Sequence, residues 1–206
     1  MHPNPAFRQT PPETALDIAR DRGFGILCLN GEAGPMLAHV PFEIDTGGTT
    51  ATLHLARSNP IARAGLPAAA VLAVSGPDAY VSPDWYGLPD QVPTWNYVAV
   101  HLRGSLHPLP PEALRPHLDR VSARFEGALA PKRPWTADKM SEGTMERMMR
   151  GILPFRLVIG GVESTVKLSQ NKPAAAQAGA ADGIAAVPLG LEGVRIAALM
   201  RGQDGL

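Results

Sequence analysis

Residues 24–56 read FGILCLNGEAGPMLAHVPFEIDTGGTTATLHLA, and this stretch decides the fold. Two largely apolar runs, Phe24–Leu29 and Met36–Ile44, flank a loop that begins at Asn30-Gly31, which predicts an antiparallel hairpin. A second turn, rich in Thr and Gly, leads into Thr50–Ala56, where apolar and polar side chains alternate. Because successive side chains of a strand point to opposite faces, this period predicts a third strand with one buried face.

The rest of the chain continues the pattern of short strands with few helices. Further strands are predicted at Ala69–Ser75, at Tyr80–Ser82 after a Gly76-Pro77 turn, at Thr94–His107 with a bulge or bend at Gly104, at Leu153–Ile159 and at Ser164–Leu168. Helices are predicted from the capping box at residues 10–13 to Gly23, at Ile61–Ala64 behind Asn59-Pro60, and at residues 111–129 and 142–150. The fold class is therefore mainly β with peripheral helices, an antiparallel sheet closed into a small barrel.

We expect one domain over residues 1–173, followed by a tail. Residues 173–193 are rich in Ala, Gly and Pro and weakly patterned, so they predict a loosely structured segment. A short helix at Val194–Arg201 completes the tail, which covers residues 174–206.

The composition excludes several classes of function. The chain has 206 residues with 19 basic and 19 acidic side chains, and this balance argues against a large non-specific nucleic-acid surface or attachment to anionic membranes. The longest apolar run, Ala68–Val74, is too short to span a bilayer. The N-terminus has no secretory pattern, and Cys28 is the only cysteine, so we expect a cytoplasmic protein without an intrachain disulfide.

Standard motifs for nucleotides and metals are absent from the sequence. No Gly-x-Gly-x-x-Gly follows a strand, no phosphate loop ends in Gly-Lys-Ser, and neither His-Glu-x-x-His nor paired cysteines occur. We therefore expect no metal site. Four polar clusters remain, at residues 38–41, 56–60, 80–97 and 167–173.

Each cluster has a functional and a structural interpretation. Arg57, the Ser58 hydroxyl and free helix N–H groups can grip a phosphate, or they can form an ordinary capped turn. The segment Tyr80–Tyr97 contains all three tyrosines and two of the three tryptophans, and aromatic surface beside polar side chains suits a flat heteroaromatic ligand. Pro41 within a strand indicates an edge, a bulge or a ligand-facing point, and residues 167–173 are by themselves a polar loop.

The residue strings in these clusters, and their order along the chain, resemble those of one known family. The sequence reads Ala-His-Val-Pro from 38, Ala-Arg-Ser-Asn-Pro from 56, Tyr-Val-Ser-Pro-Asp-Trp-Tyr from 80, Val-Pro-Thr-Trp-Asn-Tyr-Val-Ala-Val-His from 92 and Lys-Leu-Ser-Gln-Asn from 167. This series resembles the PaiB-like family, described as FMN-binding negative transcriptional regulators, from about Pro5 to Pro173. The resemblance implies an FMN-binding split barrel, similar to pyridoxine-phosphate oxidases and flavin reductases, that forms a homodimer with flavin in a cleft between two barrels.

The resemblance also implies roles for particular residues. Arg57, Ser58 and Asn59 would hold the phosphate, and Lys167 would add charge from the closing strand. The isoalloxazine would lie along His39, Val40 and Pro41, and Thr94, Trp95 and Asn96 would contact the ring or the ribityl chain. The outer wall would consist of Trp85, Tyr86, Gln170 and Asn171, although Trp85 and Tyr86 are alternatively anchors of the dimer interface.

Three functions remain open at this point. The family name predicts a repressor, for which a local patch of Arg115, Arg120, Arg124, Lys132 and Arg133 would have to bind DNA, although these residues also suit a solvated helix face. A flavin-dependent oxidoreductase, either a nicotinamide-linked flavin reductase or a pyridoxine-phosphate-oxidase-like enzyme, is the alternative, with His39 or His101 as acid or base. A carrier without turnover is the third. We expect a binding protein rather than an enzyme.

Overall fold

A computed structural model describes all 206 residues of the chain. The six strands are β1 (Phe24–Gly31), β2 (Gly34–Ile44), β3 (Thr50–Ala56), β4 (Ala68–Val81), β5 (Thr94–Pro108) and β6 (Ile152–Lys167). The five α-helices are α1 (Pro12–Arg22), α2 (Leu114–Gly127), α3 (Thr144–Met149), α4 (Ala174–Ala186) and α5 (Gly193–Met200). The strands follow the order β1-β2-β3-β6-β5-β4 and close on themselves, which confirms the predicted mainly β fold with peripheral helices.

The opening hairpin forms as its sequence predicts. Strands β1 and β2 pair antiparallel from Phe24 opposite Pro41 to Gly31 opposite Gly34. In β3 the alternating Ala51, Leu53 and Leu55 are buried, because they point into the barrel.

Contacts divide the residues into two compact units. Unit 1 comprises Met1–Arg22, Val74–His101 and Val162–Leu206, and unit 2 comprises Gly23–Ala73 and Leu102–Gly161. The fully buried side chains of unit 2 include Phe42, Leu53, Leu72, Leu102, Phe155 and Leu157. In unit 1, residues of α4 and α5 pack with Ala79, Val81 and Tyr86 in a separate apolar cluster.

Two predicted interruptions of strands are wrong. The Gly76-Pro77 turn does not exist, because β4 runs through it without a break. Beyond the proline, the N–H groups of Asp78 and Tyr80 donate to Leu191 and Leu189 carbonyls over 2.7 and 2.8 Å. Pro77 has no N–H group, so its place inside the strand leaves no backbone donor unpaired.

The two predicted closing strands are likewise one strand, β6. Its Gly160-Gly161 pair stays extended. Gly104, where a bulge or bend is predicted, lies within β5 at a close approach of two backbones, because a Cβ atom there would lie 1.9 Å from the carbonyl oxygen of Val158.

Several predicted helices are shorter or tighter than expected. The segment after Asn59 is a 3-10 turn, Pro60–Arg63. The helix predicted over 111–129 is a 3-10 turn at Pro111–Ala113 followed by α2, and the helix predicted over 142–150 is α3.

The expectation of a loosely structured segment at residues 173–193 is wrong for α4. This helix has no large apolar stripe, and it packs through small residues. A Cβ atom on Gly183 would lie 2.3 Å from Trp85 Cδ2, and one on Gly179 would lie 2.5 Å from the Trp85 carbonyl oxygen. The absence of side chains lets the helix approach closely. The short helix predicted after it is confirmed as α5.

These elements form neither a membrane-spanning helix nor a group of metal ligands. None of the helices combines the length and the hydropathy needed to cross a membrane. No group of three or more His, Cys, Asp or Glu side chains is placed to hold a metal ion.

Candidate functional site

Nine residues of unit 1 surround a small cavity, which we call the lysine cavity. Its volume is about 140 Å³, and it is lined by Phe7, Tyr86, Gln91, Val92, Thr94, Lys167, Ser169, Asn171 and Lys172. They come from the N-terminal segment, the 3-10 turn Pro83–Tyr86 and the loop behind it, the start of β5, and the end of β6 with its following loop. The fold thus joins stretches that are far apart in sequence.

Lys167, the last residue of β6, carries a partly desolvated charge at this cavity. Its ammonium donates to Thr94 Oγ1 and, over 2.7 Å, to the carbonyl oxygen of Trp95. It also lies 5.9 Å from the centre of the Phe7 ring, within the range of a cation–π contact. Burial lowers the pKa of the Lys167 ammonium, and the charge of Lys172 lowers this pKa further.

Lys172 brings a second ammonium to the lysine cavity. It donates to Gln91 Oε1 and lies 5.4 Å from the centre of the Tyr86 ring. No residue that lines the cavity carries a carboxylate. The cavity is therefore electropositive and suits an anionic or electron-rich group.

A buried hydrogen-bond network supports the loop behind β6. Ser169 Oγ lies 2.8 Å from the Tyr86 hydroxyl and accepts from Asn96 Nδ2 over 3.0 Å. Asn96 is fully buried, and its Nδ2 also contacts Met200 Sδ at 3.3 Å. Ser169 adopts a φ of 59°, which is uncommon for a residue with a Cβ atom. Asn96 therefore positions Ser169 and does not itself line the cavity.

The N-terminal segment forms one wall of the cavity. Phe7 is buried at the end of a 3-10 turn, Pro5–Phe7. The Gln170 side-chain amide donates to the carbonyl oxygens of Val166 and Ala6 over 2.6 and 3.3 Å. Gln170 thus joins the N-terminal segment to the end of β6, and it does not line the cavity.

The two tryptophans of the aromatic segment lie outside the lysine cavity. Trp85 packs against the glycines of α4. Trp95 is 46% exposed, and its ring meets the Tyr80 ring edge-on at a centroid distance of 6.0 Å. The carbonyl group of Trp95, rather than its ring, contacts Lys167.

The predicted phosphate residues belong to unit 2. Arg57 Nε donates to the carbonyl oxygen of Arg150 over 3.1 Å, which orients its guanidinium. Asn59 Oδ1 accepts from the Ile61 N–H over 2.9 Å and caps the 3-10 turn. Ser58 is exposed. The terminal nitrogens of Arg57 and the Ser58 hydroxyl remain available to an anion.

The three residues predicted along β2 also belong to unit 2, and they face different ways. His39 is exposed and stacks on Phe24 at 6.4 Å with an interplanar angle of 26°. Val40 is buried in the barrel interior, and Pro41 is half-buried opposite Phe24. Only His39 and Pro41 share the outer face.

A polar array between α2 and the sheet was not predicted. His54 Nδ1 lies 3.1 Å from His117 Nε2, and His117 Nδ1 lies 3.1 Å from Glu43 Oε1. Arg120 Nε donates to both oxygens of Glu43 at 3.0 Å. Burial lowers the pKa of His54 and His117. Helix α2 is thus attached to unit 2 partly through titratable groups.

Three of the five basic residues predicted for DNA contact form ion pairs within the chain. Arg115 pairs with Asp119, Arg120 with Glu43 and Lys132 with Glu126. Arg124 lies 5.1 Å from the centre of the Phe125 ring. An ion-paired cation releases less free energy on meeting a phosphate, so this surface is less favourable for DNA than its sequence indicates.

The structure brings together Tyr86, Thr94, Lys167 and Asn171 of the predicted site residues. The residues of the cavity that the sequence reasoning missed are Phe7, Gln91, Val92, Ser169 and Lys172. Ser169 and Lys172 belong to the same polar segment, residues 167–173, as Lys167 and Asn171. The sequence of that segment therefore gave a basis for predicting them as site residues as well. Nothing in the sequence connects Phe7 with residues so distant along the chain.

Comparison with known proteins identifies relatives of this chain. The family model described as "Putative FMN-binding domain" matches residues 1–160. The protease synthase and sporulation protein PAI 2 of Bacillus subtilis is 30% identical over 169 residues, which cover 81% of this chain and 80% of that protein.

Two solved structures share the fold at lower identity. The FAD and heme binding protein from Mycobacterium smegmatis is 20% identical with a TM-score of 0.57, covering 90% of this chain and 82% of its own. The flavocytochrome Anf3 from Azotobacter vinelandii is 16% identical with a TM-score of 0.56, covering 81% of this chain and 72% of its own. At these identities the similarity concerns the fold.

Proposed function

The chain belongs to the PaiB-like family of FMN-binding proteins, and on that premise we propose that it holds FMN partly in the lysine cavity and acts as a negative regulator of transcription. FMN is the cofactor that this family membership assigns. The residues, the assembly and the regulatory role are the parts that we propose.

One observation carries the proposed site. Tyr86 and Thr94 were selected from residues 80–97, Lys167 and Asn171 from residues 167–173, and all four line one cavity. Its ammonium and amide donors match the oxygen acceptors of a flavin nucleotide. Its volume of about 140 Å³ is below the roughly 300–1,000 Å³ of pockets for whole ligands. The cavity therefore accommodates one part of FMN.

Arg57, Ser58 and the backbone N–H groups at the start of the 3-10 turn, all in unit 2, are the alternative contacts that we propose for the FMN phosphate. The Arg57 guanidinium is oriented by the Arg150 carbonyl and retains terminal N–H groups for a bidentate contact. Asn59 contributes by capping the turn, since its side-chain oxygen is already occupied.

When bound, FMN supplies hydride and one-electron chemistry, and the protein supplies orientation and charge. Lys167 places a positive charge at the cavity, and Thr94 and the Trp95 carbonyl fix that ammonium. Asn96 holds Ser169, and through it the loop that carries Asn171. These residues bind and orient, and none of them is required to move a proton for a regulator to work.

A homodimer is the proposed assembly. The outer face of the β1–β2 hairpin exposes Phe24 and Leu37, at 45% and 59%, and His39 stacks on Phe24. Apolar side chains exposed on one sheet face favour association with a second copy.

A flavin-dependent oxidoreductase is the second candidate. The ion pairs of Arg115, Arg120 and Lys132 support this candidate, because they give three of the five cations predicted for DNA contact a partner within the chain. The two functions differ in whether the flavin turns over.

Two assays on the FMN-loaded protein test the proposal. A regulator shifts a DNA fragment from its own promoter region at 150 mM salt against excess competitor DNA, and it oxidises reduced nicotinamide no faster than free FMN does. Steady nicotinamide oxidation without a gel shift would replace the regulator with the oxidoreductase.

A further inference from the structure

We propose that the lysine cavity is a binding site for a phosphate-sized oxyanion held between Lys167 and Lys172. Neither Lys172 nor Ser169 is among the flavin contacts that the family resemblance implies. The anion has two possible sources, the phosphate of FMN itself or a separate oxyanion. Only the first source rests on the proposed function.

Charge is the first argument. Two ammonium groups line the same small cavity, and none of the lining residues is acidic. Their contacts are the neutral oxygens of Thr94, Trp95 and Gln91, so neither charge is compensated by an ion pair. Both lysines are half-buried, and even a partly buried positive charge is unfavourable without a counter-ion. A bound anion would supply the missing partner.

Unused hydrogen-bond donors are the second argument. An ammonium group has three N–H donors. Lys167 uses two of them and Lys172 uses one, which leaves one and two. Asn171, whose side chain carries an amide, also lines the cavity. These donors suit the several oxygens of a tetrahedral oxyanion better than a single carbonyl group.

Mutual repulsion is the third argument. The charge of Lys172 contributes to the lowered pKa of Lys167, after burial, so the two ammoniums sense each other. An anion between them would raise the pKa of Lys167 again, because opposite charge favours the protonated form.

Size and rigidity are consistent with this class of ligand. A volume of about 140 Å³ holds a five-atom oxyanion, since a water molecule in the liquid takes about 30 Å³. The loop that carries Lys172 and Asn171 is fixed from below by the Tyr86–Ser169–Asn96 network. The two ammonium groups are themselves held by Thr94, the Trp95 carbonyl and Gln91.

The test begins with flavin-free protein and inorganic phosphate, followed by isothermal titration calorimetry at pH 7. Wild type is expected to bind phosphate, and Lys172→Gln to weaken it about tenfold or more, as loss of a charge-assisted contact predicts. Lys139→Gln removes the same charge from unit 2, where Lys139 donates to the Pro134 carbonyl, and should change the affinity less than twofold. Asn171→Ala provides a second variant that leaves both charges in place and is expected to weaken phosphate severalfold.

A second arm identifies the source of the anion by comparing FMN with riboflavin. If FMN places its phosphate here, inorganic phosphate competes with FMN, and Lys172→Gln lowers the ratio of FMN to riboflavin affinity. If the anion is separate, phosphate and FMN bind together and that ratio is unchanged. Wild-type protein that binds no phosphate, together with an unchanged ratio in Lys172→Gln, overturns the proposal. Phosphate binding without any FMN binding would sink the FMN site and leave the anion site standing.

Discussion

The ammonium of Lys167 donates to the carbonyl oxygen of Trp95 over 2.7 Å, which ties the end of β6 to the start of β5. A second bond from the same ammonium reaches the Thr94 hydroxyl. The start of β5, which is far from Lys167 in the sequence, therefore holds the Lys167 ammonium in place.

Thr94→Val should weaken FMN binding between about twofold and tenfold. The substitution keeps the shape and removes one hydrogen-bond acceptor of Lys167, and such a bond contributes about 0.5–1.5 kcal/mol. Flavin fluorescence titration measures the change. Thr136→Val is the matched control, because Thr136 is exposed and makes no side-chain cap bond. Equal affinity in both variants would remove Thr94 from the account.

Asn96→Ala should reduce the free energy of unfolding by about 1–3 kcal/mol. Asn96 is fully buried and bonded to Ser169, so its loss leaves a buried hydroxyl with fewer partners. Urea denaturation measures the stability. Asn30→Ala, at an exposed position, should change it by less than about 0.5 kcal/mol. A loss as small as that of the control would mean that the network does not hold the loop.

Gly183→Ala should destabilise the protein by about 1–3 kcal/mol through overpacking. The new Cβ atom would lie 2.3 Å from Trp85 Cδ2, whereas one on Gly127 at the end of α2 would have no neighbour within 4 Å. Gly127→Ala is therefore the control, expected to be neutral or slightly stabilising. Thermal unfolding of the two variants, compared in one buffer, measures the difference. Similar melting temperatures would contradict the tight packing of α4 on Trp85.

Stability should fall as pH is lowered from 8 to 5.5. Burial lowers the pKa of both His54 and His117 below the ordinary value of 6.5, so the unfolded chain binds protons more readily than the folded one. The histidines therefore contribute their full stability above pH 6.5 and lose it as pH falls. Burial opposes the ionisation of Glu43, but hydrogen bonds from Arg120 and His117 outweigh it and lower its pKa below 4.5, so Glu43 stays ionised in this window.

Chemical denaturation at several pH values measures this slope. His117→Gln should flatten it, whereas His107→Gln, which removes a histidine outside the array, should not. A slope that survives in His117→Gln would assign the pH dependence to other groups.

Leu37→Lys should convert the proposed dimer to a monomer, because it places a charge on the exposed face of the hairpin. Met148→Lys on α3 is the control, since the two side chains are 59% and 62% exposed. Light scattering behind size-exclusion chromatography measures the mass. A wild-type monomer, or a dimer that tolerates Leu37→Lys, would contradict the proposed face.

The local parts of the fold were predictable from sequence, and the distant contacts were not. The period of two in Thr50–Ala56 and the hairpin at residues 24–44 follow from chemistry within a few residues. Helix α4 was not predicted because glycine and alanine give no apolar period. The residue that it packs against, Trp85, lies far earlier in the chain. The Gly76-Pro77 pair predicts a turn locally, and the partner that keeps it extended, residues 189–191, is supplied by the tertiary structure.

The same limit applies to the candidate site. Lys167 and Asn171 were predictable because they belong to one polar segment, and the sequence of that segment resembles the sequences of a flavin-binding family. Phe7 and Gln91 were not, since their place at the cavity depends on the path of the N-terminal segment and of the loop before β5. Asn96 was selected as a ligand contact, and in the structure it is a buried support for Ser169.

The dissociation constant of FMN for Lys167→Gln, measured beside wild type and Lys139→Gln by flavin fluorescence titration, tests the central claim most directly. Lys167 places a positive charge in the lining of the cavity. One charge-assisted contact contributes roughly 1.5–3 kcal/mol to the free energy of binding. The account predicts a loss of affinity between about tenfold and a hundredfold for Lys167→Gln, with Lys139→Gln within twofold of wild type. Wild-type affinity in Lys167→Gln would contradict it and place the flavin elsewhere.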